Sequence, residues 1–250
     1  MEKLKDIVQY LDSFLEVDQV KDKSWNGLQV EGSKVVEKIA FCVTAGAEVF
    51  REVLEENPDL IISHHGIFWK GANPSIKGWM KKRVKPLIET NTSLYSVHLP
   101  LDKHEGVGNN AELLRTLSIK PTIPFGESKD TFLGWMGETS QDVFDILDNL
   151  EADLDTDCKL LDYGPERVEK VAVITGSGGG YIYEALEKNV DLLITGEETD
   201  LAEVARDGRI NIIFAGHYAT ETLGVVALKK ELQKRFEGVE TLFFDFPTSL

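Results

Sequence analysis

Histidines and carboxylates that follow short apolar segments are the residues of this sequence whose types and spacing indicate chemistry. The chain of 250 residues contains five histidines, and four of them stand in such a place. These four are His64 and His65 after DLIIS, His98 after SLYSV, and His217 after INIIFAG. A carboxylate, Asp102 or Glu221, follows two of them at a distance of four residues. Mixed histidine and carboxylate sets are common ligands of transition metals, so the pattern predicts a metal site.

The adjacent pair His64 and His65 indicates two ions rather than one. Neighbouring side chains of an extended strand point to opposite faces, and where the strand opens at Gly66 each histidine can face its own ion. The predicted ligands overfill one open ion and suit two divalent ions with a bridging carboxylate: His64, His65, Asp102, His217 and Glu221. Such ions lie about 3.5–4 Å apart and activate water. The identity of the metal stays open among Zn, Mn, Fe, Co and Ni.

Alternating strands and helices are predicted to position these residues. Short apolar segments, KIAFCVT, DLIIS, SLYSVHL, KVAVITG, DLLITG and INIIFAG, alternate with helical patterns such as AEVFREVLEEN. This alternation is typical of α/β domains with mostly parallel sheets covered on both faces. In such sheets sites form beyond the carboxyl ends of the strands, and the histidines stand there.

An internal repeat indicates two related halves. ENPDLIISHHG (56–66) aligns with KNVDLLITGEE (188–198) at an offset of 132 residues, and Glu197 then takes the position of His65. The proline-containing segment KPTIPFGES predicts a boundary near residue 125. We therefore expect a first half, 1–125, that carries His64, His65 and Asp102. The second half, 126–250, carries His217 and Glu221, and the two form one functional unit.

Composition limits the classes of partner. The formal net charge of −16 argues against nucleic acid, although a bound metal can still attract a phosphorylated substrate. No apolar segment approaches the ~18–20 residues of a membrane helix. The two cysteines stand in unrelated contexts and suit a reducing compartment. We expect a cytoplasmic protein that contacts neither membrane nor nucleic acid.

Five motifs resemble one known family: WNGLQVEG, SHHGIFW, HLPLDKHEGVGNNA, TGE and AGHYATETLG, within residues 25–224. They are similar to those of the NGG-interacting-factor-like proteins, the GTP cyclohydrolase 1 type 2 homologues. The resemblance implies two intertwined α/β domains with a dinuclear metal centre between them, and toroidal homohexamers. It carries the ligand role over to His64, His65, Asp102, His217 and Glu221, with Glu221 bridging. It implies no inserted domain.

Two functions follow as alternatives. The first is a dinuclear metal-dependent hydrolase that attacks a small nucleotide-like substrate, by cyclohydrolase or phosphoester chemistry. The second is a metal-dependent oligomeric binding or regulatory protein without turnover. The histidine–carboxylate mixture favours the first, because open catalytic sites use it. The absence of a clear separate acid or base favours the second.

Other polar residues receive alternative roles in either function. His98 and Glu197 are the candidates for proton transfer, with a structural hydrogen bond or a helix cap as the alternative. Asn26, Gln29 and His104 are predicted to contact substrate, although the two amides can equally hold the turn. The Gly-rich segment TGSGGG (175–180) is a tight turn or a further substrate contact.

Overall fold

The computed structural model describes residues 1–129 and 131–248 of the chain. The strands are β1 (Glu2–Lys3), β2 (Gly27–Val30), β3 (Val35–Val36), β4 (Lys38–Thr44), β5 (Leu60–His65), β6 (Ser93–Ser96), β7 (Ile123–Ser128), β8 (Thr131–Asp142), β9 (Lys159–Asp162), β10 (Arg167–Ile174), β11 (Leu192–Thr195), β12 (Asn211–Phe214) and β13 (Glu240–Phe243). The helices are α1 (Leu4–Phe14), α2 (Ala47–Val53), α3 (Trp79–Glu89), α4 (Leu99–Lys103), α5 (Asn109–Thr116), α6 (Val143–Leu154), α7 (Ile182–Glu187), α8 (Ala202–Gly208) and α9 (His217–Arg235).

The first of two compact units comprises Met1–Leu101 and Val225–Phe246. Its sheet has the order β13-β4-β5-β6-β2, in which only the edge strand β2 is antiparallel to its neighbour. Strand β5 lies in the centre and is buried from Leu60 to His64, which explains its continuous apolar run. Phe50 of α2 and Leu87 of α3 join one core cluster with Ile61. Full burial of each such side chain stabilises the fold by roughly 1.5–3 kcal/mol.

The second unit comprises Asp102–Gly224 together with residues 247 and 248. Its sheet has the order β7-β8-β10-β11-β12-β9, and only β10, β11 and β12 are parallel to one another. The other three pairings are antiparallel. The prediction of mostly parallel sheets is therefore correct for the first unit and wrong for the second. Strand β8 follows β7 too closely for a crossover helix, so the two strands pair antiparallel.

The two units divide the chain differently from the expected halves 1–125 and 126–250. The segment expected to be a boundary forms strand β7, where Pro124 is tolerated because β7 lies at a sheet edge. The C-terminal part returns to the first unit because β13 pairs with β4. Each unit is therefore built around its own main sheet, and the first takes residues from both ends of the chain.

The internal repeat is visible in backbone detail. Asn57 and Asn189, 132 residues apart, both adopt a left-handed conformation with φ of 52°. Two residues later, the Asp59 carboxylate accepts the N–H groups of residues 37 and 38. The Asp191 carboxylate accepts those of residues 169 and 170. The same arrangement, a left-handed asparagine followed by an aspartate that accepts two backbone N–H groups, thus precedes β5 in one unit and β11 in the other.

Candidate metal-binding clusters

Strand β5 ends in the histidine pair, and each ring is held through its Nδ1 atom. His64 is fully buried, and its Nδ1 lies 3.0 Å from the carbonyl oxygen of Val97. Because a carbonyl can only accept, Nδ1 carries the proton and Nε2 carries the lone pair. His65 Nδ1 lies 3.1 Å from Thr44 Oγ1, on the neighbouring strand β4. The strand therefore delivers two imidazoles that are anchored by different neighbours.

Gly66 allows the chain to turn closely past this pair. A Cβ at residue 66 would lie 2.4 Å from Gln29 Nε2, so any other residue there requires the Gln29 amide to move. Gln29 Oε1 accepts the N–H groups of Ile67 and Phe68, at 2.8 and 3.2 Å, and so holds the segment that leaves β5. The φ of Gly66 is not positive, so the glycine is needed for this close approach. The amide of Gln29 is used inside the protein, and its contact with substrate stays a prediction.

His98 is held by a carboxylate that the sequence did not reveal. Its Nδ1 lies 3.0 and 3.1 Å from the two oxygens of Asp22. Asn26 donates to Asp22 and accepts the N–H of His98, so its amide shapes this loop. Burial opposes ionisation of Asp22. Hydrogen bonds from His98, Asn26 and the Ser24 N–H outweigh that effect and hold its pKa below the usual range. Asp22 is therefore an anion beside His98.

These three histidines form a cluster within the first unit. One ligand atom of each of His64, His65 and His98 lies within 4.8 Å of the others, a spacing that could hold a metal ion. The ring centroids are 4.6–5.5 Å apart. Trp69 lies edge-on to His98 with 5.2 Å between ring centroids, and its Nε1 donates to the Gly66 carbonyl. An aromatic side chain thus borders the cluster.

In the second unit, helix α9 begins at His217 and places Glu221 one turn later. His217 Nε2 lies 3.2 Å from Glu221 Oε1, and Nδ1 lies 2.6 Å from Glu197 Oε1. The hydrogen bond with Glu221 is the main cause that raises the pKa of His217 to about 9, with Glu197 adding to it against burial. Hydrogen bonds from Ser177 and His217 in turn lower the pKa of Glu197. Glu197 therefore orients His217 as an ionised partner.

Asp102 lies in the same unit, in a polar setting supplied by two adjacent asparagines. Asn109 Nδ2 donates to Asp102 Oδ1 at 2.8 Å, and Asn110 Nδ2 donates to the Asp102 carbonyl at 3.0 Å. Asn110 Oδ1 also accepts the Thr175 N–H at 2.6 Å. Gly176 follows with φ of 62°, and a Cβ there would meet Glu221 Oε1 at 2.5 Å. The Gly-rich segment thus forms a tight turn against the carboxylate of Glu221.

His104 differs from the other four histidines. Its Nδ1 accepts the backbone N–H groups of Gly106 and Val107, both at 3.1 Å. The neutral ring therefore carries its proton on Nε2, which cannot then coordinate a metal. This arrangement closes the loop before α5. The predicted contact of His104 with substrate stays untested.

The donor chemistry of the other four fits a divalent transition metal. Each has its Nδ1 beside a protein oxygen: a carbonyl, a hydroxyl or a carboxylate. Metal-binding histidines usually donate one ring N–H to such an oxygen, which fixes the tautomer and leaves the other nitrogen to coordinate. Asp102 and Glu221 add buried carboxylates. These clusters could therefore hold metal, whereas their number of ions and the ligand roles of single residues stay predictions.

Sequence reasoning missed Asp22, Asn109 and Asn110. The two asparagines stand in the motif GVGNNA, so the motif itself contained their signal. Asp22 lies 76 residues from His98 in a segment without any recognisable pattern. Its contact follows from the path of the chain before β2, which no local pattern specifies.

The fold and these clusters define a mixed α/β protein with histidines and carboxylates that could bind metal. The family model of Duf34/NIF3 (NGG1p interacting factor 3) matches residues 2–249, and the chain belongs to this family. The resemblance seen in the motifs is thereby confirmed. Among the described residues, none of the helices has the length and apolar character needed to cross a membrane.

Similar proteins cover the whole chain. A GTP cyclohydrolase 1 type 2 homolog of Pyrococcus abyssi is 44% identical over 253 residues, which span 98% of this chain and 99% of the relative. The protein of the same name from Archaeoglobus fulgidus is 41% identical over 250 residues, 99% of each chain. The crystal structure of TTHA1606 from Thermus thermophilus is 36% identical, with a TM-score of 0.90 over 100% of both chains.

Proposed function

We propose that this protein is a dinuclear metal-dependent hydrolase for a small nucleotide-like substrate. In this proposal two related, intertwined α/β units contribute ligands to one centre of two divalent ions. His64 and His65 come from the first unit, and Asp102, His217 and a bridging Glu221 come from the second. The observation that carries the proposal is the anchoring of Nδ1 by protein oxygens in the three proposed ligand histidines, His64, His65 and His217.

The proposed chemistry is attack of water on a cyclic amidine, an amide or a phosphoester. Two bound ions would supply a water whose pKa is lowered toward neutrality. Glu197 holds the His217 ring in the orientation that coordination needs, and His98 is the residue proposed to move the proton. The name of the relatives points to a guanine nucleotide as the first substrate to examine. Metal ions would also attract its phosphates to a chain of net charge −16.

A homohexamer in the cytoplasm completes the proposal. The motif resemblance supports the toroidal hexamer, and the two free cysteines suit a reducing compartment. Native mass spectrometry tests the assembly, with six times the chain mass as the expected result. A monomer at micromolar concentration would contradict it.

Metal content and turnover test the proposal together. The chelated protein is reloaded with Zn, Mn, Fe or Co, and metal per chain is measured after desalting. Two ions per chain are expected, with loss of at least one in His65→Ala and in Glu221→Ala. His104→Ala is the matched histidine control and keeps both ions, because its Nδ1 is used by backbone N–H groups.

Turnover is then measured with GTP, cyclic nucleotides and phosphodiesters. Ring opening or ester hydrolysis that follows metal content across these variants supports a hydrolase. Two bound ions without turnover on any member of the panel would favour the metal-dependent binding or regulatory protein instead. One ion or none in the wild-type chain would overturn the dinuclear centre.

A further inference from the structure

Asp22 is a buried carboxylate saturated with donors. It is 7% exposed, although no strand or helix holds it. Its Oδ1 accepts the Ser24 N–H, and its Oδ2 accepts Asn26 Nδ2 and the Leu99 N–H, each at 3.0 Å. The remaining capacity of both oxygens is directed at His98 Nδ1. A buried anion so fully bonded holds one orientation.

This orientation decides where the proton of His98 resides. An ionised carboxylate only accepts hydrogen bonds, so Nδ1 must be the donor and Nε2 of the neutral ring keeps its lone pair. The backbone of His98 is fixed as well, because its N–H donates to Asn26 Oδ1 at 2.8 Å. The His98 side chain is 20% exposed, so solvent reaches a ring whose other side is held.

We propose that Asp22 is the positioning residue that keeps His98 in the Nδ1–H tautomer and so makes Nε2 the proton acceptor of a ring that contacts His64 and His65. The catalytic meaning of this arrangement rests on the proposed function, whereas the tautomer is a property of the chain alone. Nε2 takes one proton from the attacking water and returns it to the leaving group. The ring is neutral before and after the reaction, and Asp22 stays an anion throughout.

Nitrogen NMR of the metal-free protein tests the tautomer directly. The chain has only five histidines, and His98→Gln assigns the signals of His98 by their loss. In wild-type protein at pH 8 we expect a protonated Nδ1 and an unprotonated Nε2. An Nε2–H tautomer in the wild-type chain would overturn the proposal without any variant of Asp22.

Asp22→Asn is the variant that should reverse the tautomer. The asparagine oxygen is expected at the Oδ2 position, where it satisfies two donors besides His98, Asn26 Nδ2 and the Leu99 N–H. The amide NH₂ then replaces Oδ1, which lies 3.0 Å from His98 Nδ1 and accepts the Ser24 N–H in the wild-type protein. An Nδ1–H group would face this donor and keep only the longer contact, 3.1 Å, to the asparagine oxygen, so we expect the proton to move to Nε2. Unchanged signals of His104 show that the loop before α5 is intact. Retention of the Nδ1–H tautomer in a folded Asp22→Asn protein would contradict the proposal.

Kinetics of the metal-loaded enzyme test the catalytic role. We expect kcat/KM to fall by about 10²–10⁴-fold in both His98→Ala and Asp22→Asn. The double variant should be no slower than His98→Ala, because both changes abolish proton acceptance by the same Nε2 atom. Metal content of His98→Ala should equal that of wild type, and its loss would make His98 a ligand and overturn the acceptor role.

The two proposals fail in different ways. Absence of turnover in wild-type protein overturns the hydrolase but leaves the tautomer measurement decisive for Asp22. Turnover that survives Asp22→Asn, in a protein whose His98 tautomer has reversed, removes the catalytic role of Asp22 and leaves the hydrolase standing.

Discussion

At the scale of single residues, the histidine pair depends on a glycine that leaves room for a glutamine. The Gln29 side chain packs against the segment just after β5, where its Oε1 accepts the successive N–H groups of Ile67 and Phe68. A side chain at residue 66 would occupy the space of the Gln29 amide. Gly66 therefore maintains the turn that positions His65 without contacting a ligand itself.

Gly66→Ala should lower the free energy of unfolding by about 1–3 kcal/mol, because Gln29 must move and leave two partly buried N–H groups without their acceptor. Urea denaturation measures this loss. Gly180→Ala is the matched control, since a Cβ there meets no atom within 4 Å, and it should change stability by less than ~0.5 kcal/mol. Equal stability of the two variants would show that Gln29 does not require the space.

The candidate ligands could be predicted from the sequence, whereas their anchoring partners could not. His64, His65 and His217 each stand at the end of an apolar strand or just after one, so residue type and position together identify them. The partners of their Nδ1 atoms lie 20–33 residues away along the chain. Sheet pairing and packing bring those oxygens near, and both depend on the whole unit rather than on a local pattern.

At the scale of elements, each unit uses an aspartate to join two parallel strands. Asp59 precedes β5 and accepts two N–H groups at the start of β4. Asp191 precedes β11 and accepts two N–H groups within β10. Because the backbone geometry repeats as well, the alignment at 132 residues reflects a shared structural device rather than a chance match of apolar letters.

Hydrogen exchange can show whether the hydrogen bonds of Asp59 and those of Asp191 act independently. Asp59→Ala should speed amide exchange at residues 37 and 38 by at least tenfold and leave residues 169 and 170 unchanged. Asp191→Ala should do the reverse, so each variant is the control for the other. The physical reason is the same in both: two N–H groups lose their carboxylate acceptor, at about 1–3 kcal/mol for a charged hydrogen bond. Faster exchange in both places from one substitution would contradict this independence.

The parallel strands were predictable from sequence, whereas the antiparallel strands β7 and β9 were not. Buried parallel strands such as β4, β5 and β11 are short apolar runs followed by helices, a pattern that few other arrangements produce. Strand β7 contains Pro124 and Gly126 and therefore resembles a loop. It forms a strand because it pairs with the long strand β8. Its position at the sheet edge tolerates Pro124, which has no backbone N–H to donate.

At the scale of the whole molecule, the acidic surface opposes folding, whereas metal bound to the candidate ligands would favour it. The chain has 43 acidic and 27 basic residues, and self-repulsion of such a surface opposes compactness. Ions bound to carboxylates offset part of that charge. Because His64, His65 and His98 come from two separate strand ends of the first unit, folding of that unit brings them together and the unfolded chain does not. Metal binding should therefore be linked to folding.

We expect metal to stabilise the folded protein by mass action. A free metal concentration of 100 times the dissociation constant adds about 2.7 kcal/mol per independent site, which thermal unfolding with and without chelator measures as a higher Tm. His65→Ala and Glu221→Ala should lose most of this increase, and His104→Ala should keep it, because its Nδ1 already accepts backbone N–H groups. Mg²⁺, which prefers oxygen ligands, should stabilise less than Mn²⁺ or Zn²⁺ because the set contains imidazoles. An equal increase of Tm in all three variants would place the bound metal elsewhere on the acidic surface.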